Sequence, residues 1–190
     1  LLIEMRWKGI RVDLERASAT QKELEKKEKD ILYQIKKKYN KEVEIWNSRS
    51  IGELFDKAKI SYEFTEKTKA PKIDRAFLQD HPHDLPKQIL EAREYNKANT
   101  TFINSILKYQ HKGRIHAEIH PLRSDAGGTV SGRFSYSNPN LQQIPARHKI
   151  LGPLIRSIFV PEEKEKWVSI DYSQQEPRLV VHYASILKLP

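Results

Sequence analysis

The stretch from Leu14 to about Tyr39 constrains the fold more than any other. Ala17, Leu24 and Ile31 recur at seven-residue intervals, and Leu32, Ile35 and Tyr39 continue the stripe at three- and four-residue steps. EKKEKD and KKK fill the positions between. This spacing predicts one long helix with a narrow apolar seam and a solvated, lysine-rich face. Asp13 is placed to cap its start and Asn40 to stop it. A seam this narrow on a helix this long requires an antiparallel helical partner, as in a hairpin or short coiled coil. The partner follows Pro86, a residue suited to a helix's first turn. From there Ile89, Ala92, Asn96, Asn99, Ile103 and Ile106 mark one face of a second long helix ending near Tyr109. Between the two, Ser50 to Lys59 and Lys72 to Gln79 read as short helices, joined by the polar loop YEFTEKTKAP, which Pro71 closes. The first part of the chain is thus expected to be an elongated helical arm.

At Lys112-Gly113 the pattern changes. RIHAEIHPL alternates with the period of a strand, Ile115 and Ile119 against Arg114, His116 and Glu118. Gly127-Gly128 supplies a turn, with further short strands around it. LIRSIFVP and WVSID are two more apolar runs, each strand-like near its end, with PEEKEK expected as a charged hairpin between them. Pro177 to Leu189 reads as a helix with Leu179, Val180, Tyr183 and Leu187 on its apolar face. Helices followed by short antiparallel strands and a last helix make the fold class α+β.

With 190 residues, 38% of them hydrophobic and 31% charged, the chain can bury a substantial core. Its formal charge of +9 favours a polyanionic partner, although charge alone serves solubility equally well. There is no cysteine, which excludes disulfides and thiolate metal sites. His116, His120, His148 and His182 lack metal-ligand spacing and read as core or surface histidines. No apolar run approaches the roughly 20 residues that span a bilayer. The start, LLIEMRWKGIRVD, has no signal-peptide pattern and begins in mid-pattern, so the chain is expected to be a piece of something longer.

Two stretches carry candidate chemistry. In VSIDYSQQEPRLVVHYA, Asp171 follows Trp167, Val168 and Ile170, as at the C-terminal end of a buried strand. A carboxylate there can project into a cleft and hold a divalent metal with help from a neighbouring backbone carbonyl; alone, it could equally be a turn or capping aspartate. Pro177 opens the last helix, which puts Glu176 at its N-terminus, facing the same cleft or merely complementing the helix dipole. Arg178 could bind that carboxylate or a phosphate. Upstream, SGRFSYSNPNLQQIPAR gathers Arg133, Asn138, Asn140, Gln142, Gln143 and Arg147. Arginine with amide side chains is a set that reads the acceptors on the minor-groove edges of base pairs. The bland alternative is a loop whose amides satisfy their own backbone, most of all at Asn138 before Pro139.

Taken together, these two stretches resemble the family A DNA polymerases, the class of bacterial DNA polymerase I and many phage replicative enzymes. The matching residues are Ser131-Gly132-Arg133, Pro139 to Gln142, Ile144-Pro145, Arg147 and Asp171 to Arg178. MRWKGIRVD is similar to the family's lead into the thumb, and REYNKANTTF, with Arg93 and Lys97, to its second long thumb helix. The resemblance implies a lead-in at residues 1–12, a duplex-gripping thumb at 13–110 and the first part of the palm at 111–190. It implies that Asp171 binds both catalytic magnesium ions and that the Tyr172 carbonyl ligates one of them. Glu176 would crowd the sugar 2′ position and exclude ribonucleotides, and Ser173, Gln174 and Gln175 would stand with it at the incoming nucleotide. Arg133, Asn140, Gln142, Gln143, Arg147, Arg93 and Lys97 would contact DNA.

The implied partners are primer-template DNA and dNTPs, with no membrane, in the cytoplasm of a bacterium or a phage-infected host. Gln175 and Pro177 stand where bacterial members usually carry aliphatic residues, and the stretch from Gly113 to Ser131 is longer than theirs. The first feature, QQEPR, looks more like phage members. The fingers helix and the second metal-binding aspartate have no counterpart in the sequence, so the piece alone is expected not to polymerise. A duplex-binding module with a structural Asp171 is the competing reading; a purely structural helical scaffold leaves the loop motifs unexplained.

Overall fold

The computed structural model describes residues 1–125 and 127–188. The chain opens with α1 (Leu2–Lys8), then β1 (Ile10–Arg11). Gly9 between them has φ 63°, and a Cβ there would stand 2.7 Å from the Ile115 carbonyl oxygen, so only glycine fits. The long helix predicted from the apolar seam is α2 (Leu14–Tyr39). The Asp13 carboxylate accepts from the Arg16 N–H at 2.8 Å, and Asn40 ends the helix in the left-handed conformation. Both ends are where the sequence put them.

The intervening helices are shifted from their predicted bounds by their caps. α3 (Ser48–Lys57) starts where Asn47 Oδ1 accepts from the Arg49 and Ser50 N–H groups, and α4 (Arg75–Asp80) where Asp74 Oδ1 accepts from the Phe77 N–H. α5 (Asp84–Lys97) runs without a break through a π-helical segment (Ala98–Ile103) into α6 (Asn104–Tyr109). Pro86 lies in the first turn of α5, and the run ends at Tyr109, as the pattern predicts.

A ladder of side chains fixes the two long helical runs as antiparallel. Gln21 Nε2 donates to Asn104 Oδ1 at 2.7 Å, Asn99 Nδ2 to Glu25 Oε1 at 3.3 Å and Asn96 Nδ2 to Glu28 Oε1 at 3.0 Å. Partners ascend along α2 while they descend along its mate. The step from Asn99 to Asn104 is the i→i+5 spacing of the π-segment, which keeps both amides on the face toward α2.

Two cores lie along this hairpin. One gathers Ile35, Ile51, Leu54, Phe55, Leu78, Leu85 and Ile89, which joins α3 and α4 to the far end of the hairpin. The other gathers Ala17, Leu24, Ile103, Ile106, Ile115, Leu151, Ile155 and Ile158. Fully burying one such aliphatic side chain stabilises by about 1.5–3 kcal/mol.

After Tyr109 come β2 (Gln110–His111) and β3 (Arg114–Ile115), a hairpin turning on Lys112 and Gly113, both at positive φ. β1, β3 and β2 form an antiparallel sheet in that order, with Ile10 and Gln110 both opposite Ile115. The predicted single strand over RIHAEIHPL is in fact two. β4 (Glu118–His120) pairs with β5 (Ser135–Ser137) in a separate two-stranded sheet. Ile115 and Ala117 are buried, so the alternation is present, but the backbone changes partners between them. Gly127 and Gly128 follow the predicted turn, Ser124 and Gly127 exchanging two backbone hydrogen bonds. A Cβ on Gly128 would stand 2.2 Å from the Leu122 carbonyl oxygen.

A short 3₁₀ turn (Leu141–Gln143) leads to α7 (Leu151–Arg156). The first part of LIRSIFVP, Leu154–Arg156, is thus helical; near its end, where the sequence reads as a strand, Phe159 is bridged to Val12 and the Val160 N–H donates to the Arg11 carbonyl. Buried Leu151 and Ile155 stand four residues apart, a helical spacing that a short apolar run leaves ambiguous.

The unit Leu1–Val160 ends here, and a second unit begins at Pro161. In it PEEKEK makes a turn, Glu165 N–H to Glu162 O at 3.0 Å, with no paired strands on either side. The predicted strand WVSID is also absent: residues 167–171 form no ladder, and Val168 and Ile170 are 75% and 90% exposed. A strand exists only by hydrogen bonding to a neighbour, and no described residue pairs with this one. α8 (Gln175–Ile186) begins two residues before the predicted Pro177, which occupies its first turn. Leu189, predicted to end that helix, lies outside the described residues.

Candidate nucleic-acid interface and metal-ligand segment

The Arg/Asn/Gln stretch divides by task. Asn140 Oδ1 accepts from the Gln142 N–H at 3.1 Å and caps the 3₁₀ turn, and Gln142 Nε2 donates to the Phe134 carbonyl at 2.8 Å. Asn138 Nδ2 reaches Glu118 Oε2 at 3.2 Å rather than its own backbone. These amides hold the loop in shape. Arg133 is exposed beyond a turn closed by Thr129, whose hydroxyl donates to the Arg133 carbonyl at 2.7 Å.

Gln143 and Arg147, with Gln142, line a groove of about 1010 Å³ between α4, α5 and residues 142–151. Lys97 lines the same groove, with Arg75 and Lys149. The sequence singles out Gln143, Arg147 and Lys97 as separate DNA contacts and His148 as a core or surface histidine; it does not single out Arg75, Glu94 or Lys149. Arg75 Nη2 bonds Glu94 Oε1 at 2.8 Å, and His148 Nε2 lies 3.0 Å from Glu94 Oε2. With Glu94 so engaged, the groove presents an excess of cations, as a phosphate-bearing partner requires.

Arg93, expected at DNA with Lys97, has another task. Its Nε donates to the Ile45 carbonyl at 2.6 Å, its guanidinium lies 5.3 Å from the Trp46 ring centroid, and burial pushes it below the ordinary arginine pKa. It fastens the segment after α2 to α5. Of the two, only Lys97 is exposed.

In the second unit, Asp171 and Tyr172 are exposed and precede a turn at Ser173-Gln174, with Gln174 at φ 51°. The chain then enters α8. A concavity of about 490 Å³ is lined by Asp171, Tyr172, Ser173, Gln175, Arg178 and His182 among others. Glu176, in the first turn of α8, does not line it, so the two carboxylates do not share this concavity. Magnesium keeps several waters and takes one or two carboxylates together with substrate phosphates. The exposed Asp171 carboxylate beside the Tyr172 backbone fits one carboxylate's share of such a site, with Arg178 on the same wall for an anion. Among the described residues no group of three His, Asp or Glu side chains converges as a preformed metal cage.

The sequence profile described as DNA polymerase family A matches residues 14–189. The chain belongs to DNA polymerase family A. Among family members, a DNA-directed DNA polymerase of Pseudomonas phage M6 is 34% identical over 99% of this chain and 30% of its own length. DNA polymerase DpoZ of Acinetobacter phage SH-Ab 15497 is 31% identical over 97% of the chain and 32% of its own. A bacterial relative, DNA polymerase I of Caldicellulosiruptor bescii, is 33% identical over 96% of the chain and 21% of its own. The chain therefore spans less than a third of the length of these relatives. Among solved structures, the POL domain of Pol1 from M. smegmatis, in complex with DNA primer-template and dNTP, superposes with a TM-score of 0.69 at 26% identity. That match covers 84% of this chain and 28% of the other. A family A fold with small antiparallel sheets and a dominant helical hairpin is what the residues predict. No described helix is long and apolar enough to cross a membrane.

Proposed function

We propose that this chain is the thumb and the first part of the palm of a template-directed DNA polymerase of phage type. In this reading residues 13–110 grip the primer-template duplex, and residues from 111 on begin the palm. The observation that carries it is the groove where Gln143, Arg147 and Lys149 of one loop meet Lys97 of α5, in a chain that also presents Asp171 in an open concavity. Lysines and arginines of the groove hold duplex phosphates through counterion release, independent of sequence. Gln143 and Arg147 reach the primer or template near its end, and Arg133 contacts the terminal pair from the minor groove. Asn140 and Gln142 shape the loop that presents them.

At the second locus, the Asp171 carboxylate and the Tyr172 carbonyl would hold magnesium. Bound there, the ions would stabilise charge on the attacking primer 3′-oxygen and the leaving pyrophosphate in an in-line displacement. Ser173, Gln174 and Gln175 border the incoming dNTP, Arg178 faces its phosphates, and Glu176 crowds the sugar 2′ position.

The test is primer extension by the full-length protein carrying Asp171→Ala. Extension is expected to fall by roughly a thousandfold or more with primer-template affinity retained. Near-normal extension would remove Asp171 from the metal site and leave the chain a duplex-binding module.

A further inference from the structure

His148 and Glu94 join two parts of the groove that the sequence keeps far apart. α7 starts at Leu151 with Ile150 as N-cap, and Ile150 offers no capping side chain. His148 does the capping from three residues upstream. Its Nδ1 accepts from the Leu151 N–H at 3.0 Å and from the Ile150 N–H at 3.3 Å. An Nδ1 that accepts leaves the proton of a neutral imidazole on Nε2, and that nitrogen lies 3.0 Å from Glu94 Oε2 on α5. The other Glu94 oxygen takes Arg75 of α4 at 2.8 Å. One carboxylate thus ties α4, α5 and the entrance to α7 together.

The residue before the latch is Arg147, exposed at the same groove. Around it the loop folds back on α7: Gly152 N–H donates to the His148 carbonyl at 2.9 Å and Arg156 Nε to the Pro145 carbonyl at 3.3 Å. Those bonds fix the loop to its own helix. His148 to Glu94 is a polar contact that fixes it to the helical hairpin.

We infer that the His148–Glu94–Arg75 latch sets where Arg147 stands relative to the hairpin, so that hairpin and loop grip the duplex as one surface. His148 is a positioning residue in this scheme, and the inference rests on the reading of Arg147 as a DNA contact. The two ring nitrogens can be tested apart. Asparagine reproduces the reach of Nδ1 and keeps the cap of α7, while losing Glu94; glutamine reproduces the reach of Nε2 and keeps Glu94.

In the full-length polymerase, His148→Asn is expected to weaken primer-template binding by about three- to tenfold with an unchanged melting temperature, and His148→Gln to restore most of the affinity. In an Arg147→Ala background, His148→Asn is expected to cost nothing further. An independent, additive loss in that double variant, or a His148→Asn variant that binds primer-template as tightly as the parent, would overturn the latch. If Arg147→Ala alone leaves affinity unchanged, the reading of the groove as a DNA contact fails instead.

Discussion

Residues 1–160 and residues 161–188 have similar apolar content in their key segments and opposite fates. The first set buries Leu24, Ile35, Leu54, Phe55 and Ile155 to within 1% of full exclusion from solvent. In the second, none of the described residues is buried, although Trp167, Val168, Ile170, Leu179 and Val180 are as apolar. Yet α8 forms while the strand before it does not. A helix closes its backbone hydrogen bonds within itself, whereas a strand needs another strand for every one. Apolar pattern therefore specifies a helix locally and a strand only conditionally.

The largest effect that can sharpen this contrast is a pair of truncations. Phe55→Ala is expected to cost about 3–5 kcal/mol of unfolding free energy in a chemical denaturation experiment. Ile170→Ala in the same chain should stay within about 0.5 kcal/mol of the parent, as an exposed substitution does. Equal losses would mean that Ile170 is packed in solution and the contrast is false.

Alkaline stability should come next, and should belong to residues 1–160. Burial first, then the hydrogen bond to Glu91, pushes the Tyr95 hydroxyl up to about 12 in the folded chain. The unfolded chain ionises near 10. Stability from this source is complete below pH 10 and is lost as pH rises through 12, by roughly 2–3 kcal/mol. Tyr95→Phe should flatten that part of the pH profile; an unaltered profile would assign the alkaline loss elsewhere.

A smaller pair separates fastening from gripping. Arg93→Ala removes the donor to the Ile45 carbonyl and should lower stability by about 1–3 kcal/mol. Arg147→Ala, at an exposed position, should lower primer-template affinity and leave stability nearly unchanged. Reversed results would exchange their roles. Smallest is Asp13→Ala, expected to cost about 1 kcal/mol through the lost cap of α2, read as a shift in denaturation midpoint.

Much of the candidate site was legible because its residues are contiguous. Asp171 to Arg178 and Ser131 to Arg147 are short runs whose side-chain chemistry and spacing can be read without knowing the fold. The meeting of Arg75, Glu94 and His148 was not legible because it spans 19 and 54 positions of chain. The one local clue was a histidine three residues before a helix whose own N-cap residue, Ile150, has no capping side chain, and that helix is not predicted by the sequence.

By itself the sequence determined the α2 helix to both ends, the second helical run, the turn at Gly127-Gly128, and membership of the polymerase family. Those features depend on local backbone preference, capping and contiguous motifs. Only the tertiary structure decided which strands exist, that RIHAEIHPL serves two sheets, and that Arg93 fastens helices while Arg147 faces the groove. Strand pairing and the direction of a charged side chain depend on neighbours distant in sequence, and no local pattern carries their positions.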